Sequence, residues 1–253
     1  MNPFYLNPKH HFYLVYESLG AKNAKVLDIG FGDGEFIQHL DKKIKSVYGY
    51  DVNKKSALEF QKKNPSVNIK FGKVGSKLPY KDAFFDAVFL LHVLEHVDDE
   101  DVITQEIYRV IKNKGALYLA SPYKGLFAWA DMANLRYNFP LIHKLFGKIF
   151  YGKEKFAELF EGQKRSLFGD SSRQRNSHYH YKEEEIKKLL DGRFKIEKFY
   201  KYSLLQPFLF SIWNILFLLF GKVPYLLKKI VWWDNKLKMG ELAYNFFVVA
   251  KKI

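Results

Sequence analysis

The sequence contains no cysteine, and this absence excludes several kinds of protein. A disulfide-stapled scaffold, a cysteine-ligated zinc or iron–sulfur site and a cysteine nucleophile all require that residue. The chain also lacks an uninterrupted apolar run of about 18 residues, the minimum for a membrane-spanning helix. Its longest candidate, 207–220, contains Ser211 and Asn214, which favours a buried or interfacial helix. No basic-then-apolar signal peptide opens the chain, so we expect a cytoplasmic location, with a peripheral position at the inner face of the membrane as an option.

Acidic residues are scarce relative to basic ones. The 253 residues include 41 Lys and Arg against 27 Asp and Glu, which gives a formal net charge of +14. Such an excess suits an anionic partner: nucleic acid, a phosphorylated substrate or a lipid headgroup. Apolar residues make up 48% of the chain, which excludes a disordered protein. Aromatic residues reach 18%, which is high for a soluble enzyme and indicates an unusual surface.

Strand and helix patterns alternate through the first half of the chain. Apolar runs predict five strands, at 25–30, 46–51, 67–72, 86–91 and 116–120. Helical patterns follow the first, second and fourth of these strands, and the last of these patterns includes Ile111. Alternation at this short spacing predicts an α/β fold with a doubly wound, Rossmann-like parallel sheet.

The alternation of strand and helix patterns ends after residue 122. Residues 123–178 are aromatic and basic without a strand pattern, and residues 203–240 are apolar and aromatic with scattered lysines. The remaining segments predict an amphipathic helix at 182–191 and strands at 193–202 and 243–250. We therefore expect one domain over 1–253 that carries two insertions.

The sequence VLDIGFGDGEF is the most specific pattern in the chain. Gly30, Gly32 and Gly34 join a predicted strand to a predicted helix, and a turn without Cβ atoms lets the backbone approach a ligand. Asp28 ends the strand, where a carboxylate can hold a cofactor amine or an ordered water. Asp51 ends the next strand, where a carboxylate can accept both hydroxyls of a ribose. We therefore expect a nucleotide-type ligand here rather than a plain structural turn.

Two such ligands fit the loop: a dinucleotide and S-adenosylmethionine. A dinucleotide favours the pattern GxGxxG and places its pyrophosphate at the helix N-terminus. Asp33 and Glu35 lie near that terminus, and their negative charge opposes a pyrophosphate. A cationic sulfonium suits them, so the residues favour S-adenosylmethionine.

Four segments, VLDIGFGDGEF, VYGYD, LPYKDAFFDAVFLLHVLEHV and GALYLASP, resemble the successive motifs of class I S-adenosylmethionine-dependent methyltransferases. The resemblance covers residues 24–122 and is strongest to the branch with ubiquinone and menaquinone methyltransferases and many lipid- or glycan-cluster enzymes. It implies a seven-stranded sheet with an antiparallel last strand. It also implies that the insertions are helical lids, one after strand 5 and one between strands 6 and 7.

The resemblance assigns a set of cofactor-binding residues: Asp28, Gly30, Phe31, Gly32, Gly34, Asp51, Val52, Leu91 and His92. Asp51 would hold the ribose hydroxyls and Val52 would flank the adenine. Phe31 departs from the family, which usually has a small residue or cysteine there. The usual acidic partner of the adenine amine is also absent, so the adenine would rely on the backbone or on Ser76.

The insertions indicate the kind of substrate. Ligands in this fold bind beyond the carboxyl ends of the strands, so we expect both insertions to cover the active site. Between 201 and 238 there are six lysines and one acid, together with Trp213, Trp232 and Trp233. These residues favour a monotopic contact with an anionic membrane surface. A buried helical lid or a dimer interface is the alternative, and the length disfavours a membrane span.

Methyl transfer from a sulfonium requires alignment and exclusion of water, and a hydroxyl acceptor also needs a base. The candidate bases are His92, His178 and His180. His180 is preferred, because related enzymes often have a histidine just before this predicted helix. An ordinary loop histidine is the alternative for each. The spacing His178-x-His180 lacks a third ligand, so no metal site is predicted.

The first insertion offers three polar candidates for substrate binding: Asp131, Asn134 and Arg136. Their spacing suits contact with sugar hydroxyls or a phosphate. Alternatively, the three side chains cap and pair within the insertion itself.

The sequence therefore predicts an S-adenosylmethionine-dependent methyltransferase, with O-methylation of a hydrophobic or lipid-linked small molecule or glycan as the preferred reaction. An RNA methyltransferase is one alternative, because the basic excess also suits phosphates. Against it, the additional aromatic residues cluster with aliphatic ones rather than with arginines. A non-catalytic scaffold that keeps the cofactor fold is the other alternative.

Overall fold

A computed structural model describes residues 23–32, 34–41, 44, 46–73, 75–161 and 177–253. It leaves out the side chains of residues 35, 39, 41, 150 and 218. Asp33 and the side chain of Glu35, which bear on the choice of cofactor, therefore lie outside the described part of the chain.

Seven strands form one sheet in the order β3-β2-β1-β4-β5-β7-β6. They are β1 (Lys25–Ile29), β2 (Ser46–Asp51), β3 (Asn68–Phe71), β4 (Phe85–Leu91), β5 (Ile111–Pro122), β6 (Phe194–Tyr202) and β7 (Asn245–Lys252). Strands β1 to β5 pair in parallel, whereas the last strands are antiparallel. The predicted α/β fold with a mixed seven-stranded sheet is confirmed.

The described helices are α1 (Glu35–Asp41), α2 (Lys54–Lys63), α3 (Glu100–Val110), α4 (Leu135–Asn138), α5 (Pro140–Tyr151), α6 (Lys153–Phe160), α7 (Glu183–Leu190), α8 (Gln206–Phe220) and α9 (Tyr225–Asp234). Side-chain caps fix where α2 and α3 begin. Asn53 Oδ1 accepts from Ser56 N at 3.1 Å before α2, and Asp99 Oδ1 accepts from Val102 N at 3.2 Å before α3. Such caps satisfy amides that have no partner inside the helix.

The centre of the sheet is buried on both faces. Val26, Leu27 and Ile29 of β1 are fully inaccessible, as are Val88 and Phe89 of β4. Near-continuous apolar runs of this kind are typical of parallel strands that helices cover on both sides. The apolar pattern of the sequence therefore sufficed to locate these two strands.

Strand β5 begins earlier than the sequence predicts. Ile111, which has a helical spacing, instead pairs with Phe85 of β4, and the next matched pair is Ala87 with Ala116. The extra residues between them bulge out, with Lys114 at a φ of +62°. Pairing buries Ile111 without extending α3, so tertiary contacts override the local periodicity.

The strand order reverses between β1 and β4. Connections from these neighbouring strands leave the sheet in opposite directions, which opens a crevice at their carboxyl ends. The glycine loop follows β1 and His92 follows β4, so the fold brings both predicted motifs to this point.

The described residues form two compact units. The first comprises the described residues up to 121, together with 181–200 and 246–253, and holds most of the sheet. The second comprises the described residues within 122–180 and 201–245, so the described parts of both predicted insertions belong to it. Its helices α4 to α6 pack around Leu135, Phe156 and Phe160. None of the helices in the described residues is long and apolar enough to cross a membrane.

Candidate active site

The glycine loop adopts a backbone that side chains would obstruct. Gly30, Gly32 and Gly34 have φ angles of +73°, +56° and +78°, a region that favours glycine. A Cβ atom on Gly30 would lie 2.3 Å from Val93 Cγ2, and one on Gly34 would lie 2.0 Å from Phe60 Cε2. A Cβ on Gly32 would meet no described atom within 4 Å. Packing therefore requires two of the glycines, and the third borders open space.

Asp51 is fixed between two backbone segments. Its Oδ2 accepts from Gly32 N at 3.0 Å and its Oδ1 accepts from Asn53 N at 2.8 Å. The side chain is almost fully buried at the end of β2. A carboxylate oxygen can accept two hydrogen bonds, so each oxygen retains capacity for a ribose hydroxyl. Asp51, the residue predicted to bind the ribose, is thus fixed in position by backbone amides of the protein itself.

Asp28 is the second buried carboxyl group of this region. Burial raises the pKa of its side chain well above the usual value, and the negative charge of Asp51 raises that pKa further. A cation beside Asp28 would favour the ionised form and relieve this cost. The group therefore suits the cationic methionine end of the predicted cofactor.

The carboxyl end of β4 presents Leu91 and His92. His92 has a φ of +56°, unusual for a residue with a side chain, and its amide donates to Ala120 O at 2.8 Å. Its Nδ1 lies 3.3 Å from Oε1 of Glu95, whose other oxygen accepts from the Ser121 hydroxyl at 2.7 Å. Glu95 is completely buried, whereas 40% of the His92 side chain is exposed.

Glu95 was not among the site residues predicted from the sequence. Its only signal was a spacing of three residues from His92 in the segment LHVLEHV. The fold therefore places a buried carboxylate oxygen 3.3 Å from the His92 ring. The catalytic and cofactor roles of His92 stay predictions.

Phe31 has its side chain in the core. Its ring centroid lies 5.3 Å from that of Phe60, and a Cβ on Gly49 would lie 2.9 Å from its Cδ1. Gly49 therefore provides the room for this departure from the family pattern. Val52 is partly exposed beside Asp51, and its contact with adenine stays a prediction.

Ser76, the alternative adenine contact, is also engaged. Its hydroxyl donates to Lys73 O at 2.6 Å. The same carbonyl accepts from the Tyr50 hydroxyl at 3.2 Å.

In the second unit, Asp131 connects two of the predicted histidines. Its Oδ2 lies 2.5 Å from His178 Nδ1 and 2.8 Å from His180 Nε2, and its Oδ1 accepts from Ala133 N at 2.9 Å. Burial alone would raise the pKa of Asp131, but the two imidazoles lower it well below its usual range. The carboxylate is therefore ionised.

His180 is buried and has contacts at both ring nitrogens. Its Nδ1 lies 3.2 Å from the Tyr123 carbonyl oxygen, while its Nε2 faces Asp131. A general base needs a nitrogen with an accessible lone pair. This arrangement does not favour His180 as the base, and the predicted catalytic roles of His178 and His180 stay untested.

The three predicted substrate-binding side chains all have contacts inside the second unit. Asn134 pairs with the backbone of His178, donating to its O and accepting from its N, both at 2.7 Å. Arg136 donates to Phe160 O at 3.0 Å. Together with the contacts of Asp131, these bonds match the alternative of caps and pairs within the insertion. Their contact with substrate stays a prediction.

Helices α8 and α9 form an apolar hairpin, residues 206–234, around Leu209, Leu227 and Val231. The buried Asp234 closes its base by accepting from the amides of Leu204 and Leu205 at 3.0 and 2.9 Å. Among the hairpin side chains that the structure describes, seven large apolar ones are exposed by 45% or more: Ile212, Phe217, Leu219, Phe220, Tyr225, Leu226 and Trp233.

The exposed charges on the hairpin are all positive. Its single acid, Asp234, is buried, whereas Lys222 and Lys229 are exposed and Lys228 is partly exposed. Lys229 lies over the Tyr225 ring at 4.7 Å from the centroid. Surface that combines exposed apolar groups with lysines only is typical of contact with a partner or a membrane.

Part of the first unit is similar in sequence to known proteins. Residues 27–119 match the profile of a family described as a methyltransferase domain. A ubiquinone biosynthesis O-methyltransferase of Pelagibacter ubique is 33% identical over 108 residues, which are 42% of this chain and 45% of that protein. A ubiquinone/menaquinone biosynthesis C-methyltransferase of Desulfotalea psychrophila is 27% identical over 158 residues, 55% and 64% of the two chains. The chain thus spans about half the length of the curated relatives it matches.

The solved structures agree on the fold. A SAM-dependent methyltransferase from Methanosarcina mazei aligns over 94% of this chain and 97% of that one, with a TM-score of 0.55 and 20% identity. At this identity the likeness shows the fold alone. The matched profile covers the glycine loop, Asp51 and His92, which are the motifs that carried the sequence resemblance. Residues 27–119 are therefore a methyltransferase domain, on the fold of the S-adenosylmethionine-dependent methyltransferases.

Proposed function

We propose that this chain transfers the methyl group of S-adenosylmethionine to a hydroxyl oxygen of a hydrophobic or lipid-linked acceptor at an anionic membrane surface. The observation that carries the cofactor part is the fixed position of Asp51, with one oxygen on Gly32 N and the other on Asn53 N. A carboxylate that needs no rearrangement binds the ribose without a cost in ordering.

In the proposed reaction, the acceptor oxygen attacks the methyl carbon. The carbon–sulfur bond breaks, its electron pair passes to sulfur, and S-adenosylhomocysteine leaves. The hydroxyl proton passes to a base. We assign that base to His92, because it follows β4 in the same unit as the glycine loop and its Nδ1 lies 3.3 Å from a carboxylate oxygen of Glu95.

The hairpin of α8 and α9 supports the acceptor class. Its exposed apolar side chains and its lysines suit a lipid surface with anionic headgroups. The relatives support a lipophilic acceptor only by analogy, because they include both an O- and a C-methyltransferase of quinone biosynthesis. The choice of oxygen rests on the His92–Glu95 pair, since a neutral hydroxyl needs a proton acceptor.

The experiment is a transfer assay with S-adenosylmethionine labelled in its methyl group, run on separate lipid and RNA extracts. We expect label in the lipid fraction, and at least a tenfold loss of rate in His92→Gln with cofactor binding retained. Because the His92 side chain is exposed, we expect this variant to keep the fold, and circular dichroism checks that point. Label in RNA would replace the proposed acceptor class, and no label in either fraction would favour a non-catalytic scaffold.

A further inference from the structure

The cluster of Asp131, His178 and His180 is not needed for the proposed reaction. Asp131 precedes His178 by 47 residues and His180 by 49 residues in the sequence. All three side chains are largely buried. Their atoms Asp131 Oδ2, His178 Nδ1 and His180 Nε2 all lie within 4.8 Å of one another. The sequence lacked a third ligand beside the two histidines, and the fold supplies it.

The hydrogen-bond roles of His180 point to a cation. Its Nδ1 faces the Tyr123 carbonyl oxygen at 3.2 Å, which can only accept, so this nitrogen carries a hydrogen. In a neutral ring, Nε2 then has a lone pair directed at a carboxylate oxygen 2.8 Å away. Two lone pairs at this distance repel unless a positive ion lies between them. A second ring proton or a metal ion can fill that role.

The surroundings match those of a metal ligand. Histidines that bind metal generally donate their other ring N–H to a carbonyl or carboxylate, as His180 does to Tyr123. The second oxygen of Asp131 is held by Ala133 N, and Asn134 fixes the backbone of His178 from both sides. Each ligand thus has an independent contact that orients it.

We propose that Asp131, His178 and His180 bind one divalent first-row transition-metal ion, with zinc as the reference case. Two imidazoles and a carboxylate suit such ions better than magnesium or calcium, which prefer oxygen ligands. Bonds to zinc of about 2.0–2.2 Å place tetrahedral ligands about 3.3–3.6 Å apart, so the side chains would separate by roughly 1 Å on binding. Three protein ligands leave a fourth position for water.

The test measures metal content of the full chain, purified without a histidine tag and treated with a chelator. After incubation with Zn²⁺ and dialysis, we expect about one bound zinc ion per chain. After the same treatment with Mg²⁺, we expect no bound magnesium. Co²⁺ should give the visible absorption bands of a low-coordinate site, and Zn²⁺ should raise the melting temperature.

The variants His180→Ala, His178→Ala and Asp131→Asn should each lose at least about tenfold in zinc affinity. His143→Gln, which removes a buried histidine of the same unit, is the matched control and should keep the zinc. Circular dichroism establishes that each variant is folded. Should a variant unfold, the Zn²⁺, Mg²⁺ and Co²⁺ measurements on the unaltered chain decide the matter.

Two results overturn the proposal: no retained zinc in the unaltered chain, or zinc retained equally by folded His180→Ala. The first would mean that a proton alone lies between His180 and Asp131. Neither measurement involves cofactor or acceptor, so its outcome is independent of whether the proposed methyl transfer occurs.

Discussion

The two units of the molecule place functional groups by different means. In the first, the site is mostly backbone: glycines with positive φ angles and amides that hold Asp51. In the second, the polar cluster is made of side chains from positions 131, 178 and 180. Backbone conformation is encoded locally, whereas a side-chain cluster depends on how distant segments pack. The first kind of site is therefore visible in a sequence, and the second is not.

The largest expected effect is on cofactor binding by the first unit. Asp51→Ala removes the carboxylate that we propose accepts two ribose hydroxyls, and hydrogen bonds to a charged group contribute about 1.5–3 kcal/mol each. We expect the affinity for S-adenosylmethionine, measured by calorimetry, to fall by at least about a hundredfold. Asp82→Asn, at an exposed carboxylate of the same unit, should leave the affinity unchanged. If Asp51→Ala bound S-adenosylmethionine with unchanged affinity, Asp51 would not belong to the cofactor site.

A pair of glycine variants separates the cost of a packing clash from the cost of a strained backbone. Gly34→Ala forces a Cβ to 2.0 Å from the Phe60 ring and should lower the free energy of unfolding by about 2–4 kcal/mol. Gly32→Ala meets no described atom, so only the strained φ should count, at about 1–2 kcal/mol. Denaturant unfolding measures both. Equal losses would contradict the different roles of the two glycines.

The hairpin of the second unit should respond to its charges. Each lysine near an anionic membrane contributes about 1 kcal/mol, so Lys222→Ala with Lys229→Ala should lower partitioning by about 30-fold. Flotation with anionic vesicles gives the partition coefficient, and Lys55→Ala with Lys62→Ala, exposed on α2, provides a matched control. If the unaltered chain does not float, the hairpin is a partner or lid surface instead.

The smallest effect concerns pH. The pKa of Asp28 is raised by burial and by Asp51, and a cationic ligand binds the ionised form. The affinity for S-adenosylmethionine should therefore be full above that raised pKa and decline by several-fold as the pH falls through it. Asp28→Asn should bind more weakly at high pH and show a flatter profile. An unchanged pH profile in that variant would assign the dependence to another group.

Much of the first unit was predictable because its strands are buried runs and its loop needs glycine. The predicted strands at 46–51 and 86–91 match β2 and β4 within one residue. The prediction for Ile111 was wrong, because helical spacing cannot reveal that a strand partner at Phe85 is available. Glu95 was missed for a similar reason. Burial of a carboxylate beside Ser121 is a tertiary contact with no local pattern.

The sequence by itself determined where most strands of the first unit lie, the glycine loop and the position of Asp51 at a strand end, since each follows from short-range patterns. Tertiary structure alone decided that Phe31 lies in the core opposite Gly49, and that Asp131 stands between His178 and His180. Those contacts join residues far apart in the chain. Their geometry depends on packing and on the pairing of buried polar groups, which no local periodicity records.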